Sequence, residues 1–207
     1  MKFLSNKIEF PSIDEATEEG LIAVGGDLST DRILLAYKRG IFPWFEDDKA
    51  ILWWSPDPRF VLYPEELRVS KSMKQFLRNC SLTVTVNTAF PQVIEACASI
   101  KRNGQEGTWI TNNMNKAYIE LYEMGFAKSI EVWKNDELVG GFYGLDLGND
   151  VFCGESMFSK VSNASKAAFI TFVQNTNYKL IDCQVHTQHL ESLGGRSIPR
   201  DLYLSYL

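Results

Sequence analysis

Residues 129–173 read SIEVWKNDELVGGFYGLDLGNDVFCGESMFSKVSNASKAAFITFV, and this run decides the fold. Ser129–Trp133 and Leu138–Gly144 are apolar runs on either side of Asn135-Asp136, a dipeptide suited to the tight turn of a hairpin. A second turn, Gly148-Asn149-Asp150, leads into Val151-Phe152-Cys153-Gly154, an apolar run that fits a buried strand. Three strands joined by two tight turns make an antiparallel meander. Ser162-Asn163 then gives a helix N-cap signal, and Ala164–Val173 is the helix it opens. The third strand sets one carboxylate, Glu155, among Cys153, Met157 and Phe158. Buried carboxylates are uncommon unless paired. Glu155 is therefore either half exposed at an ordinary strand–loop–helix junction or part of a site.

Working outward toward the C-terminus, Lys179–Val185 reads as another strand, and Leu190–Leu193 as a short helix ending at Gly194-Gly195. Tyr203–Leu207 reads as an edge strand. Asp182 and Gln184 are two apart on the 179–185 strand, so period-2 alternation points them to one face. Two polar residues on one face of an apolar strand need partners when buried. They serve either structural hydrogen bonding or chemistry, with Asp182 accepting a proton and Gln184 orienting or stabilising a developing oxyanion. This strand is expected beside the one bearing Glu155, which would bring both carboxylates and the amide to one cleft.

Toward the N-terminus, Ser29 is placed to cap a helix over Thr30–Arg39 that Gly40 stops. Trp44, Trp53 and Trp54 follow within a few residues, beside Pro43, Pro56 and Pro58. Each Trp is either core beneath a loop or a stacking platform for a flat ligand such as a nucleobase. Residues 58–64 read as a strand, and a domain boundary is placed there. Ser70–Arg78 is a predicted helix; with Arg68 it carries Lys71, Lys74 and Arg78, a solvated face or a phosphate contact. Leu82–Val86 alternates like a half-buried strand. Thr88 is predicted to cap a helix ending near Asn103-Gly104, and Trp109 stands alone in the next loop. Asn112 or Asn113 starts an amphipathic helix that buries Ala117, Tyr118, Leu121 and Met124. This order of elements predicts an α+β fold with a mainly antiparallel mixed sheet, in the order of the GNAT-type acyltransferase fold.

Composition narrows the function. The chain has 207 residues, 45% hydrophobic and 23% charged, with a net charge of -5. That suits a globular protein with a real core and argues against nonspecific coating of nucleic acid. The apolar part of the N-terminus is too short for a signal peptide, and no run approaches membrane-spanning length. Cys80, Cys97, Cys153 and Cys183 lack zinc spacing and read as reduced thiols of a cytoplasmic protein. With His186 and His189 as the only histidines, a His-based metal site is not expected. Ser156 lacks the second glycine of a nucleophile elbow. The helix opening at Val161-Ser162-Asn163 has no glycine-rich turn for a pyrophosphate, which counts against use of coenzyme A.

Several motifs then stand in order along the chain: Gly25-Gly26-Asp27-Leu28-Ser29, Tyr37–Phe45, Trp53–Arg59, Glu106–Thr111, Phe152–Ser159, Asn163-Ala164-Ser165-Lys166 and Leu180–Gln184. Together they strongly resemble the bacterial leucyl/phenylalanyl-tRNA–protein transferase family. The resemblance implies a cytoplasmic, monomeric aminoacyltransferase with no metal, no other cofactor and no membrane association. Such an enzyme moves leucine or phenylalanine, less often methionine, from charged tRNA onto proteins with N-terminal Arg or Lys, marking them for degradation as N-degrons. It implies a small N-terminal α/β domain, 1–57, that carries the Trp-rich loop, and a GNAT-like catalytic domain, 58–207. By position, Trp44 with Tyr37 and Trp109 would hold the 3′ adenosine. Phe142, Gly154, Met157, Phe172 and Ile181 would form the amino-acid pocket. Asp182, Gln184 and Glu155 would be the catalytic set, with Asp182 as proton acceptor and Glu155 meeting the acceptor's ammonium or its Arg/Lys head.

Overall fold

A computed structural model describes residues 2–100 and 110–207. In chain order the elements are β1 (Lys2–Leu4), β2 (Leu21–Gly25), α1 (Thr30–Lys38), β3 (Phe42–Pro43), β4 (Leu52–Trp54), β5 (Arg59–Leu62), α2 (Lys71–Asn79), β6 (Thr83–Val86), α3 (Phe90–Ser99), α4 (Asn112–Glu123), β7 (Ala127–Lys134), β8 (Glu137–Asp146), β9 (Val151–Ser159), α5 (Ala164–Gln174), β10 (Leu180–Asp182), α6 (Gln188–Glu191), β11 (Arg196–Ile198) and α7 (Arg200–Leu204).

The strands form two sheets, β1-β2-β4-β3 and β11-β5-β10-β9-β8-β7-β6. In the larger sheet every neighbouring pair is antiparallel except β9 and β10. This is the mainly antiparallel α+β arrangement the sequence predicts. The meander turns where expected. Asn135 and Asp136 both have positive φ, 48° and 63°, the conformation of a two-residue hairpin turn whose twist matches its strands.

β8 is buried along almost its whole length because both of its faces are covered. On one side α5 packs Phe169, Ile170 and Val173 against Ile130, Val132 and Phe142. On the other, α3 and α4 bring Phe90, Ile94 and Tyr118 against Tyr143 and Leu145. The helix of the second layer comes very close at Gly140. A Cβ there would lie 2.6 Å from the Ala164 Cβ, so a larger residue would push the start of α5 off the sheet.

Several local expectations change. Met124, expected on the buried face of α4, follows its last residue and is exposed, and Ser29 stands at the N-cap of α1 without a side-chain capping bond. Thr88 does not cap α3 with its side chain. Instead its N–H (3.2 Å) and hydroxyl (3.0 Å), with the Ala89 N–H (3.2 Å), donate to the fully buried Glu131 of β7. A carboxylate from the sheet thus satisfies donors left open where the helix begins, and α3 ends at Ser99 rather than near Asn103. Asn163 stands at the N-cap of α5 in a left-handed conformation without a capping bond; the Ser159 hydroxyl accepts from the Ser165 N–H instead (3.2 Å). The strand expected over Lys179–Val185 is only β10, for reasons that concern the site below. Tyr203–Leu207 is not an edge strand. Pro199 precedes α7 with its φ already near the helical value, and the sheet edge is β11. Among the described residues no helix is long and apolar enough to cross a membrane.

Candidate functional site

β10 runs beside β9 for three residues, Leu180–Asp182 opposite Val151–Cys153. β9 then continues to Ser159 while β10 stops, so the two parallel strands part. A cavity of about 520 Å³ opens in the fork. Its walls are residues 154–159 of β9 and 181–185 of the diverging strand, with Phe142 of β8 and Phe169 of α5. Pro43 and Trp44, from the smaller sheet, complete it.

Two backbone irregularities aim the polar groups of this fork. The first is a bulge in β9. Gly144 pairs with Gly154 and Tyr143 with Ser156, leaving Glu155 as the extra residue. Bulges re-aim a side chain out of strict alternation. The second is at Gln184, which has a φ of 62°, a conformation that is uncommon for a residue other than glycine. Its N–H donates to Asp182 Oδ1 (2.9 Å), and its carbonyl accepts from the Phe60 N–H (3.3 Å). Turned in this way, Gln184 Nε2 donates to Glu155 Oε1 (2.9 Å).

Glu155 is half-buried and has two further partners. The Tyr37 hydroxyl lies 2.6 Å from Oε1 and the Tyr118 hydroxyl 3.1 Å from Oε2, and the two hydroxyls are 2.6 Å apart. Three oxygen–oxygen contacts share two tyrosine protons. The count closes when the carboxyl itself carries the third. The electrostatics agree: burial pushes the Glu155 carboxyl up to about 8, against the lowering pull of hydrogen bonds from Tyr37 and Tyr118. Burial and then the charge of Glu155 push both phenols well above their ordinary value, so they remain donors.

Asp182 and Gln184 are not two residues of one regular strand, because β10 ends at Asp182 and the backbone turns left-handed two residues later; both still border the cavity with Glu155. Asp182 is fully buried and its oxygens are occupied by the protein. Arg59 Nε donates to Oδ1 (2.8 Å) and Arg59 Nη2 to Oδ2 (2.6 Å), a two-point contact. The Tyr203 hydroxyl adds a bond to Oδ2 (2.9 Å). Arg59 also donates to the Gly40 carbonyl (3.2 Å), and its guanidinium lies over the rings of Phe42 and Tyr203. Burial disfavours the Arg59 charge, but Asp182 beside it outweighs burial and holds the guanidinium above its ordinary value.

The apolar residues divide. Phe142, Gly154, Met157 and Ile181 line the cavity. Phe172 does not; one turn further along α5, it packs against Phe152 (ring centroids 4.7 Å apart) and Tyr178 (5.8 Å), behind Phe142 (5.4 Å). Phe169 takes the place expected of it. The tryptophans divide too. Trp53 is fully buried core, its Nε1 donating to the Gly25 carbonyl (2.9 Å). Trp44 is 40% exposed on the cavity wall, its backbone carbonyl held by Trp54 Nε1 (2.7 Å). Tyr37 is 1% exposed, which leaves no ring face for stacking; it serves the site through its hydroxyl. Trp109 lies outside the described residues.

Sequence reasoning did not single out Arg59, Tyr118, Tyr203 or Phe169. Tyr118 and Tyr203 carried a signal, since a buried phenol needs a hydrogen-bond partner and a core position would suit Phe as well. Among the described residues no group of three or more His, Cys, Asp or Glu side chains is placed to hold a metal ion.

Comparison with known proteins gives one consistent family. The model of the leucyl/phenylalanyl-tRNA protein transferase family matches residues 61–207, and that of its N-terminal domain matches residues 26–57. A leucyl/phenylalanyl-tRNA–protein transferase of Flavobacterium johnsoniae is 56% identical over 210 residues, covering 100% of this chain and 99% of its own. One from Escherichia coli (strain ED1a) is 56% identical over 207 residues, covering 98% of this chain and 87% of its own. Among solved structures, a GCN5-related N-acetyltransferase from Kribbella flavida aligns with a TM-score of 0.39 and 11% identity, over 78% of this chain and 58% of its own.

Proposed function

The chain belongs to the leucyl/phenylalanyl-tRNA protein transferase family, and from that premise we propose that the forked cavity is its aminoacyl-transfer site. The donor is an aminoacyl-tRNA charged with leucine or phenylalanine, less often methionine. The acceptor is a protein whose N-terminal residue is Arg or Lys, and the product is an N-degron. The observation that carries this reading is the contact of Gln184 with Glu155 at the inner end of an apolar cavity whose outer wall bears the exposed indole of Trp44.

The donor's side chain enters between Phe142, Met157, Phe169 and Ile181, and its adenine stacks on Trp44. Such a cavity suits a γ-branched, unbranched or aromatic side chain. β-branching puts bulk at its neck, which is worth about 1–3 kcal/mol of discrimination. The exposed Arg68, Lys71, Lys74 and Arg78, none of which has an ion pair among the described residues, meet tRNA phosphates. The division near residue 57 then separates the unit bearing the adenosine platform from the one bearing the reacting groups. Because charged tRNA is the donor, the enzyme works in the cytoplasm.

The chemistry needs positioning and one proton transfer, since an aminoacyl ester is already activated. The acceptor's α-amine attacks the ester carbonyl. The new N–C bond forms, the C–O bond to the ribose breaks, and the ribose oxygen departs with a proton. A carboxyl that titrates near about 8 is matched to an α-amine of reference pKa ~8, so Glu155 is the proton acceptor. Gln184 spends its Nε2 on Glu155 and turns its carbonyl oxygen to the amine, orienting it. Asp182, expected to be the base, has its oxygens filled by Arg59, Tyr203 and the Gln184 N–H. It is a positioning residue that holds residue 184 in its left-handed turn.

Incubation with labelled leucyl- or phenylalanyl-tRNA tests the reading. Label passes to peptides beginning with Arg or Lys and not to the same peptides N-acetylated or beginning with Ala. Failure to label any of them, under conditions in which a leucyl/phenylalanyl-tRNA–protein transferase of known activity labels the first two, refutes it.

A further inference from the structure

Past Cys153, β9 has, among the described residues, a strand partner on one edge only. Its β8 side is paired as far as Lys160, whose N–H donates to the Val139 carbonyl (2.8 Å). Alternation from that bond turns the main-chain N–H and C=O groups of Met157 and Ser159 to the opposite edge. On that edge β10 has already stopped, and among the described residues no other strand pairs there. An unpaired strand edge invites another chain, and proteins ordinarily blunt one with charge, proline or a covering element. This edge instead lines the cavity and begins at Glu155. The Ser159 hydroxyl is already bonded to the Val161 carbonyl (2.8 Å) and the Ser165 N–H (3.2 Å), so the side chain is held while the main chain stays open.

Resting on the aminoacyl-transfer reading, we propose that the acceptor polypeptide adds itself to this edge as a short extra strand. Its α-amine meets Glu155 and Gln184. Its next residues exchange main-chain hydrogen bonds with Met157 and Ser159. From residue 155 to 159 the edge is about 13 Å long at the usual rise of a strand, enough for the first four or so acceptor residues. Strand addition suits acceptors that share only their first residue, because main-chain hydrogen bonds give affinity without reading side chains. The donor's single aminoacyl group cannot fill such an edge.

The test is an N-methyl scan of a short peptide that begins with Arg and continues in alanine. Backbone nitrogens two to five are methylated one at a time, and kcat/KM for leucyl transfer is measured beside the unmodified peptide. Methylation at alternate nitrogens lowers kcat/KM about tenfold, the worth of one lost main-chain bond, and the nitrogens between tolerate it. Replacing alanine by leucine or serine at the same positions changes the rate less than about twofold. A flat methylation profile overturns the proposal. So does an equal loss at every position, which reports crowding rather than pairing. Should the unmodified peptide itself go unlabelled, the aminoacyl-transfer reading has failed and the strand addition falls with it.

Discussion

Replacing Glu155 by Gln will stabilise the protein in alkaline buffer while abolishing most of its activity. The folded protein holds the Glu155 proton up to about 8, whereas the unfolded chain releases it at the ordinary 4.5. A raised carboxyl favours the folded state fully below 4.5, and that advantage is lost as pH climbs through about 8. Across that window the full linkage amounts to about 5 kcal/mol. Water at the half-buried carboxyl reduces it to about 2 kcal/mol. A glutamine has the same shape, accepts from Tyr37 through its oxygen, donates to the Tyr118 hydroxyl through its amide as the protonated carboxyl does, and never ionises. The variant should therefore match the wild type near pH ~4 and exceed it near pH ~9 by about 2 kcal/mol, roughly 4–8 °C in Tm for a chain of this size.

Thermal unfolding of both proteins across this range is the assay, paired with kcat/KM for leucyl transfer. Below pH ~8 the wild-type rate rises steeply, because the amine and Glu155 must both lose a proton; the variant keeps only the dependence due to the amine. Its plateau falls by 10²–10⁴, the usual worth of a general base. A Tm difference that is the same at both ends of the range would show that Glu155 is not held protonated by the fold. A variant that keeps its rate would remove Glu155 from the proton transfer.

Other perturbations separate the positioning groups from the reacting ones. Arg59→Met strands the fully buried Asp182 and should cost about 3–5 kcal/mol by urea unfolding, whereas the double change Arg59→Met with Asp182→Leu should recover much of it. Trp44→Ala should raise KM for aminoacyl-tRNA about tenfold through lost stacking, with little change in Tm because the ring is 40% exposed; Trp44→Phe should restore part of the affinity. Phe169→Ala enlarges the cavity and should shift the ratio of phenylalanyl to leucyl transfer. Phe172→Ala, which removes packing behind Phe142, should cost about 3 kcal/mol of stability and leave that ratio nearly unchanged.

What the sequence made legible, and what it hid, has a physical pattern. The hairpin at Asn135-Asp136, the meander and the placement of the Asp182 strand beside the Glu155 strand could all be read, because turn chemistry and hydrophobic period are local properties. So could the meeting of Glu155, Asp182 and Gln184 in the fork, though not Phe169 in its wall or Tyr118 beside Glu155. Their division of labour could not. Alternation along Lys179–Val185 assigned Asp182 and Gln184 to one face, but alternation holds only while φ stays negative, and at Gln184 it does not. Nothing local announces a left-handed glutamine. It exists because Asp182 Oδ1 receives its N–H, and Asp182 is fixed in turn by Arg59, 123 positions earlier in the chain. The bulge at Glu155 depends likewise on pairing with β8, a tertiary fact for which the adjacent glycines Gly144 and Gly154 were the one sequence hint. The fully buried ion pair is thus the cause and the part-buried amide–carboxyl contact the effect. A charged residue with every donor filled by the fold holds shape, and the neighbour left with an atom to offer is the one that meets substrate.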